Sequence, residues 1–180
     1  MTHPTLSQPQ TRSPLDQLNT ATAATAVRLL LCCCASRRWA ERIARHRPYP
    51  DVEALLAAAD EASYDLTTAD LREALAGEPG AHPTGDEPPV GALAAHTALR
   101  AAHGAYERKF GHAFLCCLDG LAAEERLDHV LAGIRTRLDN DVDEEWAVTA
   151  EELRRLARGR LGRLATRGSW DKGVAGLTPG

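Results

Sequence analysis

The choice of apolar residues is the feature that most constrains the fold of this chain. Its 180 residues include 32 Ala and 24 Leu, against only 7 Val and 2 Ile. Ala and Leu favour helices, whereas sheets are rich in β-branched and aromatic residues. We therefore predict an all-α fold. A chain of this length buries enough surface to fold around one core without disulfides or metals.

Several functional classes are excluded by simple patterns. The longest apolar run, residues 29–35, is far shorter than the roughly 20 residues that cross a bilayer. Residues 1–12 contain no apolar core of the kind found in secretory signals. The net charge of −4, with acidic residues spread along the chain, disfavours nucleic-acid binding. We expect a cytoplasmic protein that binds neither membranes nor nucleic acid.

The cysteines do not form a metal-binding or disulfide pattern. All five lie in two contiguous runs, at residues 32–34 and 116–117. Neighbouring residues on a helix point in different directions, and neither run has the spacing of a zinc site. We interpret them as small, buried apolar residues, and no His or Cys set predicts a metal or another cofactor.

The chain divides into three predicted regions. Residues 1–12 are polar and contain proline, so we predict that they are disordered, and we predict a flexible tail at residues 168–180. Residues 13–167 form the predicted domain, a single compact bundle of six to seven helices. One helix is predicted from Ser13 to Cys34 and another from Ala92 to about Leu118, with Gly111 as a candidate point of interruption. The Pro- and Gly-rich residues 78–91 form a long loop of a kind that often carries function.

Candidate acid–base residues cluster in this loop, namely Glu78, His82, Asp86 and Glu87. His82 is the most suggestive because a rigid, proline-flanked loop can hold an imidazole towards a pocket, where it titrates near neutral pH. A solvated loop histidine is the alternative. His103 lies on an apolar helical stripe and is predicted to be a core residue.

Arg137 is the candidate for binding an anion. On a helical projection it lies about 80° from Leu127, at the edge of the apolar stripe, so its stem can cover apolar surface while its guanidinium turns towards a carboxylate. The alternative is a surface salt bridge with Asp141. The six arginines between residues 154 and 167 are interpreted as a solvated helix end.

Several blocks, taken in order, are similar to the motifs of one enzyme family. They are Cys33, Ser36, Trp39-Ala40, Arg47-Pro48-Tyr49, Tyr106-Glu107-Arg108-Lys109-Phe110-Gly111, Phe114-Leu115, and Arg137-Leu138-Asp139-Asn140 with Glu145. Their order and spacing resemble the family of 2-oxo-4-hydroxy-4-carboxy-5-ureidoimidazoline (OHCU) decarboxylases over about residues 15–166.

This resemblance implies an all-α fold, a homodimer, and cofactor-free decarboxylation of OHCU to (S)-allantoin in urate degradation. The residues that it points to are His82, Glu87 and Glu78 for catalysis, and Arg137, Thr84, Phe110 and Gly111 for substrate binding. The family's catalytic histidine falls on Glu78 in an alignment without gaps, and on His82 in an alignment by motif. Two alternatives stay open: a degenerate member that binds a small anionic ligand or a partner protein, and a decarboxylase of another anionic heterocycle.

Overall fold

The computed structural model describes residues 12–78, 93–167 and 170. Within these ranges the chain forms helices and no strand, which confirms the predicted all-α fold. The described ranges contain eight helices rather than the six or seven predicted. They are α1 (Pro14–Thr20), α2 (Ala23–Leu31), α3 (Arg37–Arg45), α4 (Val52–Tyr64), α5 (Thr68–Ala76), α6 (Leu93–Phe110), α7 (Ala123–Arg137) and α8 (Val142–Arg167).

The additional helix arises because the chain turns after α1. One continuous helix was predicted from Ser13 to Cys34, and this prediction was wrong. Ala21 and Thr22 adopt extended backbone angles, and the Thr22 hydroxyl accepts a hydrogen bond from the backbone N–H of Thr25. A threonine is a favourable N-cap, so it can start a new helix where no Gly or Pro marks a break.

Most of the other helix starts follow their capping residues. The side chains of Ser13, Ser36, Asp51 and Thr67 each accept a backbone N–H three residues further on. Asp70 returns the contact to the N–H of Thr67 at 2.8 Å, which completes a capping box. These caps fix where α1, α3, α4 and α5 begin.

The main core lies between α2, α3, α4 and α8, with α1 packed against α8. Its fully buried members include Leu30, Trp39, Ile43, Leu55 and Leu161. The indole N–H of Trp39 donates to the carbonyl of Ala59 at 3.0 Å, so this large side chain is buried without losing its hydrogen bond. The long helix α8 therefore spans the core and supplies one wall of the site described below.

A second, smaller core joins α6 and α7 and contains Tyr106, Phe110, Phe114 and Ile134. Helix α6 was predicted to continue to about Leu118, with Gly111 as a candidate point of interruption. It ends at Phe110, immediately before that glycine, so only the predicted continuation beyond Gly111 was wrong. Gly111 has a positive φ of 74°, which suits glycine, and the chain is not helical from there to α7. The segment after Gly111 crosses between the two cores.

The cysteine prediction is confirmed for Cys33 and Cys34, which are buried, while the other three thiols are partly buried and all five are free. Among the described helices, none has both the length and the apolar character required to span a membrane. The same residues contain no group of three or more side chains suited to hold a metal ion.

Candidate functional site

Arg137, the last residue of α7, lies in a buried network. Only 7% of the residue is exposed, and its Nε and Nη2 atoms donate to Oε1 of Glu145 at 2.8 and 2.5 Å. Nη2 also donates to the hydroxyl of Thr149 at 2.9 Å. The carboxylate that Arg137 meets therefore belongs to Glu145 on α8, rather than to the neighbouring Asp141 considered from the sequence.

Glu145 is fully buried, and three further side chains donate to its oxygens, among them the Thr149 hydroxyl to Oε1 at 3.3 Å. The Tyr106 hydroxyl donates to Oε1, and the Asn140 amide donates to Oε2 at 2.8 Å. Burial opposes ionisation of Glu145, but the bonds from Arg137 and Tyr106 outweigh it and hold the pKa of this carboxyl below its usual range. The spacing of Arg137, Asn140 and Glu145 is thus explained by one ion-pair network.

The same arginine anchors the segment that follows Gly111. Its Nη1 donates to the carbonyl of Leu115 at 2.6 Å, and its guanidinium lies 4.6 Å from the centre of the Phe114 ring. These contacts hold the segment in place across the α7–α8 network. The guanidinium of Arg137 thus has internal partners, and its predicted role as a substrate ligand stays a prediction.

On its other side, this segment forms one wall of a cavity of about 180 Å³. Ligand pockets for drug-sized molecules have volumes of about 300–1,000 Å³, so the cavity suits a small metabolite. Its described lining is mostly apolar: Leu75, Glu78, Ala113, Phe114, Leu115, Cys116, Leu118, Val130, Leu156 and Arg160. Of these residues, Glu78 and Arg160 carry the charges.

Glu78 and Arg160 form a two-pronged ion pair in this cavity. The two carboxylate oxygens accept from Nη1 and Nη2, each at 2.7 Å, and the side chains are 8% and 28% exposed. Nη1 also donates to the carbonyl of Cys33 at 3.1 Å. The hydrogen bonds with Glu78 outweigh burial and raise the pKa of Arg160. The guanidinium is therefore a permanent cation.

A close backbone approach places Glu78 at the cavity. Gly77 is the C-cap residue that follows α5, and a Cβ atom on it would lie 2.3 Å from the Cβ of Ala35. Only glycine allows the end of α5 to approach the turn between α2 and α3 so closely. The N–H of Glu78 then bonds to the carbonyl of Leu75 at 3.2 Å, and its side chain meets α8.

The structure brings together only part of the predicted site. Glu78 lines the cavity, whereas His82, Thr84 and Glu87 lie outside the described residues. Phe110 and Gly111 are not among its described lining residues. Phe110 packs on Tyr106, with ring centres 4.8 Å apart, and Gly111 makes the turn after α6.

His103 is buried, as predicted, with its ring edge against Phe114 at 5.9 Å. It therefore contacts a residue of the second core, and no histidine is among the described residues that line the cavity.

Sequence reasoning missed Arg160, which was grouped with a solvated helix end. That interpretation was wrong for Arg160 because its guanidinium pairs with Glu78 and lines the cavity instead of being solvated. A usable signal was present: Leu156 and Leu164, both partly buried, lie four residues before and after it on the same helical face. The reasoning used for Arg137, that an arginine at the edge of an apolar stripe can turn its guanidinium towards a carboxylate, applies equally to Arg160.

Comparison of the sequence with known protein families identifies one match. The profile of a family described as OHCU decarboxylase matches residues 19–162. No curated protein sequence gives a significant match.

Two solved structures share the fold. One is a crystal structure of (S)-allantoin synthase, with a TM-score of 0.66 and 18% sequence identity, covering 85% of this chain. The chain spans about half of that protein, 54% of its length. The other is a crystal structure of OHCU decarboxylase in the presence of (S)-allantoin, with a TM-score of 0.65 and 20% identity, covering 76% of this chain and 96% of that one.

Proposed function

The chain belongs to the OHCU decarboxylase family, and from this premise we propose that it catalyses the cofactor-free decarboxylation of OHCU to (S)-allantoin in urate degradation. The observation that carries the proposal is the small, mostly apolar cavity with the guanidinium of Arg160 in its wall. OHCU is a small heterocycle with one carboxylate and several N–H groups. A cation and a nearby acid in an apolar cavity match those groups.

The reaction breaks the bond between the ring carbon and the carboxylate. Carbon dioxide leaves, and the electron pair that stays on the ring carbon is delocalised into the adjacent C=N bond. This gives an enol. A proton is then added, on one face only, to the neighbouring ring carbon that carries the ureido group, while the hydroxyl on the first carbon loses its proton and becomes a carbonyl. Catalysis therefore requires a group that orients the carboxylate, donors where negative charge develops, and an acid held on one side of the ring.

The residues of this chain can be assigned to these tasks. Arg160 would hold the substrate's carboxylate, because a guanidinium binds a carboxylate through two parallel N–H bonds. His82 would act as the acid–base group, with Glu87 assisting it and Thr84 binding the substrate. His82 lies four residues after Glu78 in the sequence, which supports its assignment as the acid–base group. Arg137 would act through the cavity wall that it anchors.

The direct test follows the optical activity of freshly generated OHCU in the presence of the purified protein. OHCU decays spontaneously to racemic allantoin, so a stereospecific enzyme yields an excess of (S)-allantoin that increases with protein concentration. Racemic product formed at the uncatalysed rate would contradict the proposed function.

The variant His82→Ala tests the proposed acid–base residue. We expect its turnover number to fall by about 10²–10⁴-fold, the usual effect of losing a general acid or base. His129→Ala, which removes an exposed imidazole from α7, is the matched control and should retain activity. Full activity of His82→Ala would contradict its assignment and leave Glu78 as the proposed acid.

One observation favours a second candidate function, in which the protein binds a small anionic ligand without decarboxylating OHCU, or decarboxylates another anionic heterocycle. Glu78 already neutralises Arg160, so the described charges of the cavity cancel. In that case (S)-allantoin or a related ureide would bind without OHCU turnover.

We also propose that the protein is cytoplasmic and forms a homodimer. Sedimentation of the purified protein tests the dimer.

A further inference from the structure

Glu78 occupies the part of Arg160 that a ligand carboxylate needs. Its two oxygens lie 2.7 Å from Nη1 and Nη2, which is the paired arrangement that a guanidinium forms with any carboxylate. A ligand that binds Arg160 in the same way must use the same two nitrogen atoms. Glu78 and the ligand therefore cannot both have this arrangement.

The surroundings of the pair leave little freedom to avoid this conflict. Nη1 is also bonded to the carbonyl of Cys33, which fixes the guanidinium from a second direction. The remaining described lining residues carry no cationic side chain. A carboxylate that enters the cavity thus finds Arg160 as its described cationic partner, already occupied by Glu78.

We propose that Glu78 is an intramolecular competitor for Arg160, so that an anionic ligand binds this cavity by exchanging its carboxylate for that of Glu78. The inference rests on the proposed function for the class of ligand. It adds that Glu78 determines which anions are accepted.

The exchange sets a second requirement for the ligand. Only 8% of the Glu78 side chain is exposed, and a carboxylate that loses its partner at such a position is strongly destabilising. The ligand must therefore give Glu78 new hydrogen-bond donors when it takes Arg160. A carboxylate attached to a ureido group, or to a ring with N–H groups, meets both requirements, whereas a simple carboxylate meets only the first.

Two probes of similar size and shape, one anionic and one neutral, test the exchange. Ureidoacetate carries a carboxylate and a ureido group, and ureidoacetamide replaces the carboxylate with a neutral amide. Their affinities are measured by titration calorimetry for the wild-type protein, for Glu78→Gln and for Glu61→Gln. The last variant removes an exposed carboxylate of α4 and is the matched charge control.

We expect Glu78→Gln to bind ureidoacetate about 10- to 100-fold more tightly than the wild-type protein. If a ligand binds only when Arg160 is released from Glu78, its apparent affinity is the intrinsic affinity multiplied by the fraction of molecules in which Arg160 is free. A 10- to 100-fold gain therefore corresponds to Arg160 being free in about 1–10% of the wild-type molecules. Ureidoacetamide binding should change by less than about threefold, and Glu61→Gln should bind both probes as the wild-type protein does. Adding Arg160→Gln to Glu78→Gln should abolish the gain.

If Glu78→Gln binds ureidoacetate no more tightly than the wild-type protein, the proposal is wrong, and this includes the case in which neither binds. An equal gain for the amide, or a gain that survives Arg160→Gln, would also overturn it. Circular dichroism of each variant verifies that it is folded. Because the probes are not decarboxylated, the exchange can hold when OHCU turnover is absent, which separates it from the proposed function.

Discussion

The buried carboxylate of Glu145 allows a quantitative test of what holds the two cores together. The change Glu145→Ala removes the acceptor of two bonds from Arg137 and of one bond each from Asn140, Tyr106 and Thr149. It leaves a guanidinium that is 7% exposed without a counter-ion. Removing one partner of a buried ion pair destabilises a protein by about 3–5 kcal/mol.

This loss is a large part of the stability of a typical domain, which is about 5–15 kcal/mol. It corresponds to a melting temperature lower by about 6–20 °C for a chain of this size. The free energy of unfolding is measured by urea titration, followed by far-ultraviolet circular dichroism. Glu144→Ala, which removes an exposed carboxylate from the same turn of α8, is the control and should change stability by less than about 0.5 kcal/mol.

The double variant Arg137→Met/Glu145→Leu separates the buried charge from the loss of contacts. It removes both charges and keeps similar volumes, so we expect it to be more stable than Glu145→Ala alone. The reasoning would be refuted by a loss below about 1 kcal/mol for Glu145→Ala. A double variant as unstable as the sum of the two single changes would refute it as well.

Further predictions concern the backbone, the thiols and acid stability. Gly77→Ala should destabilise the fold by about 1–3 kcal/mol in urea titrations, because its Cβ would lie 2.3 Å from that of Ala35. Gly162→Ala, inside α8 with its nearest contact at 3.9 Å, should instead stabilise it by about 0.5–1 kcal/mol. Burial raises the pKa of Cys33 to about 12, so we expect iodoacetamide to label it at pH 8 far more slowly in the folded protein than in urea. The pKa of Glu145 is lower in the folded protein than in the unfolded chain, where it is about 4.3. The ionised carboxylate therefore stabilises the fold above the unfolded-state pKa, and this stabilisation is lost as the pH falls through the folded-state pKa. We expect the free energy of unfolding of Glu145→Gln to fall less steeply with decreasing pH than that of the wild-type protein in unfolding titrations.

The fold was predictable because its information is local. The scarcity of Val and Ile disfavoured a sheet, and the helix start predicted at Ser13 is confirmed by the structure. The errors arose where local signals are weak. Thr22 starts a helix within an Ala- and Thr-rich stretch that contains no Gly or Pro. The end of α6 was easier to anticipate because Gly111, which has a positive φ, marks it.

The site was less predictable because it depends on long-range contacts. The carboxylate of Glu78 meets Arg160 across 82 residues of sequence, and no local pattern links these two positions. The partner of Arg137 was missed for a similar reason: Asp141 is at the favoured helical spacing, but α7 ends at Arg137 and the chain turns before Glu145. Spacing rules for one helix do not apply across a turn between two helices.

The two arginines differ in how many partners they would leave behind on binding a ligand. Freeing Arg137 would abandon a fully buried Glu145, and it would disconnect the carbonyl of Leu115 and the hydroxyl of Thr149. Freeing Arg160 breaks one carboxylate pair at the edge of a cavity, and an incoming carboxylate restores the same two bonds. The first change loses several buried interactions without replacement, whereas the second is an exchange between like groups. The free-energy difference therefore favours Arg160 as the arginine that can exchange its partner for a ligand.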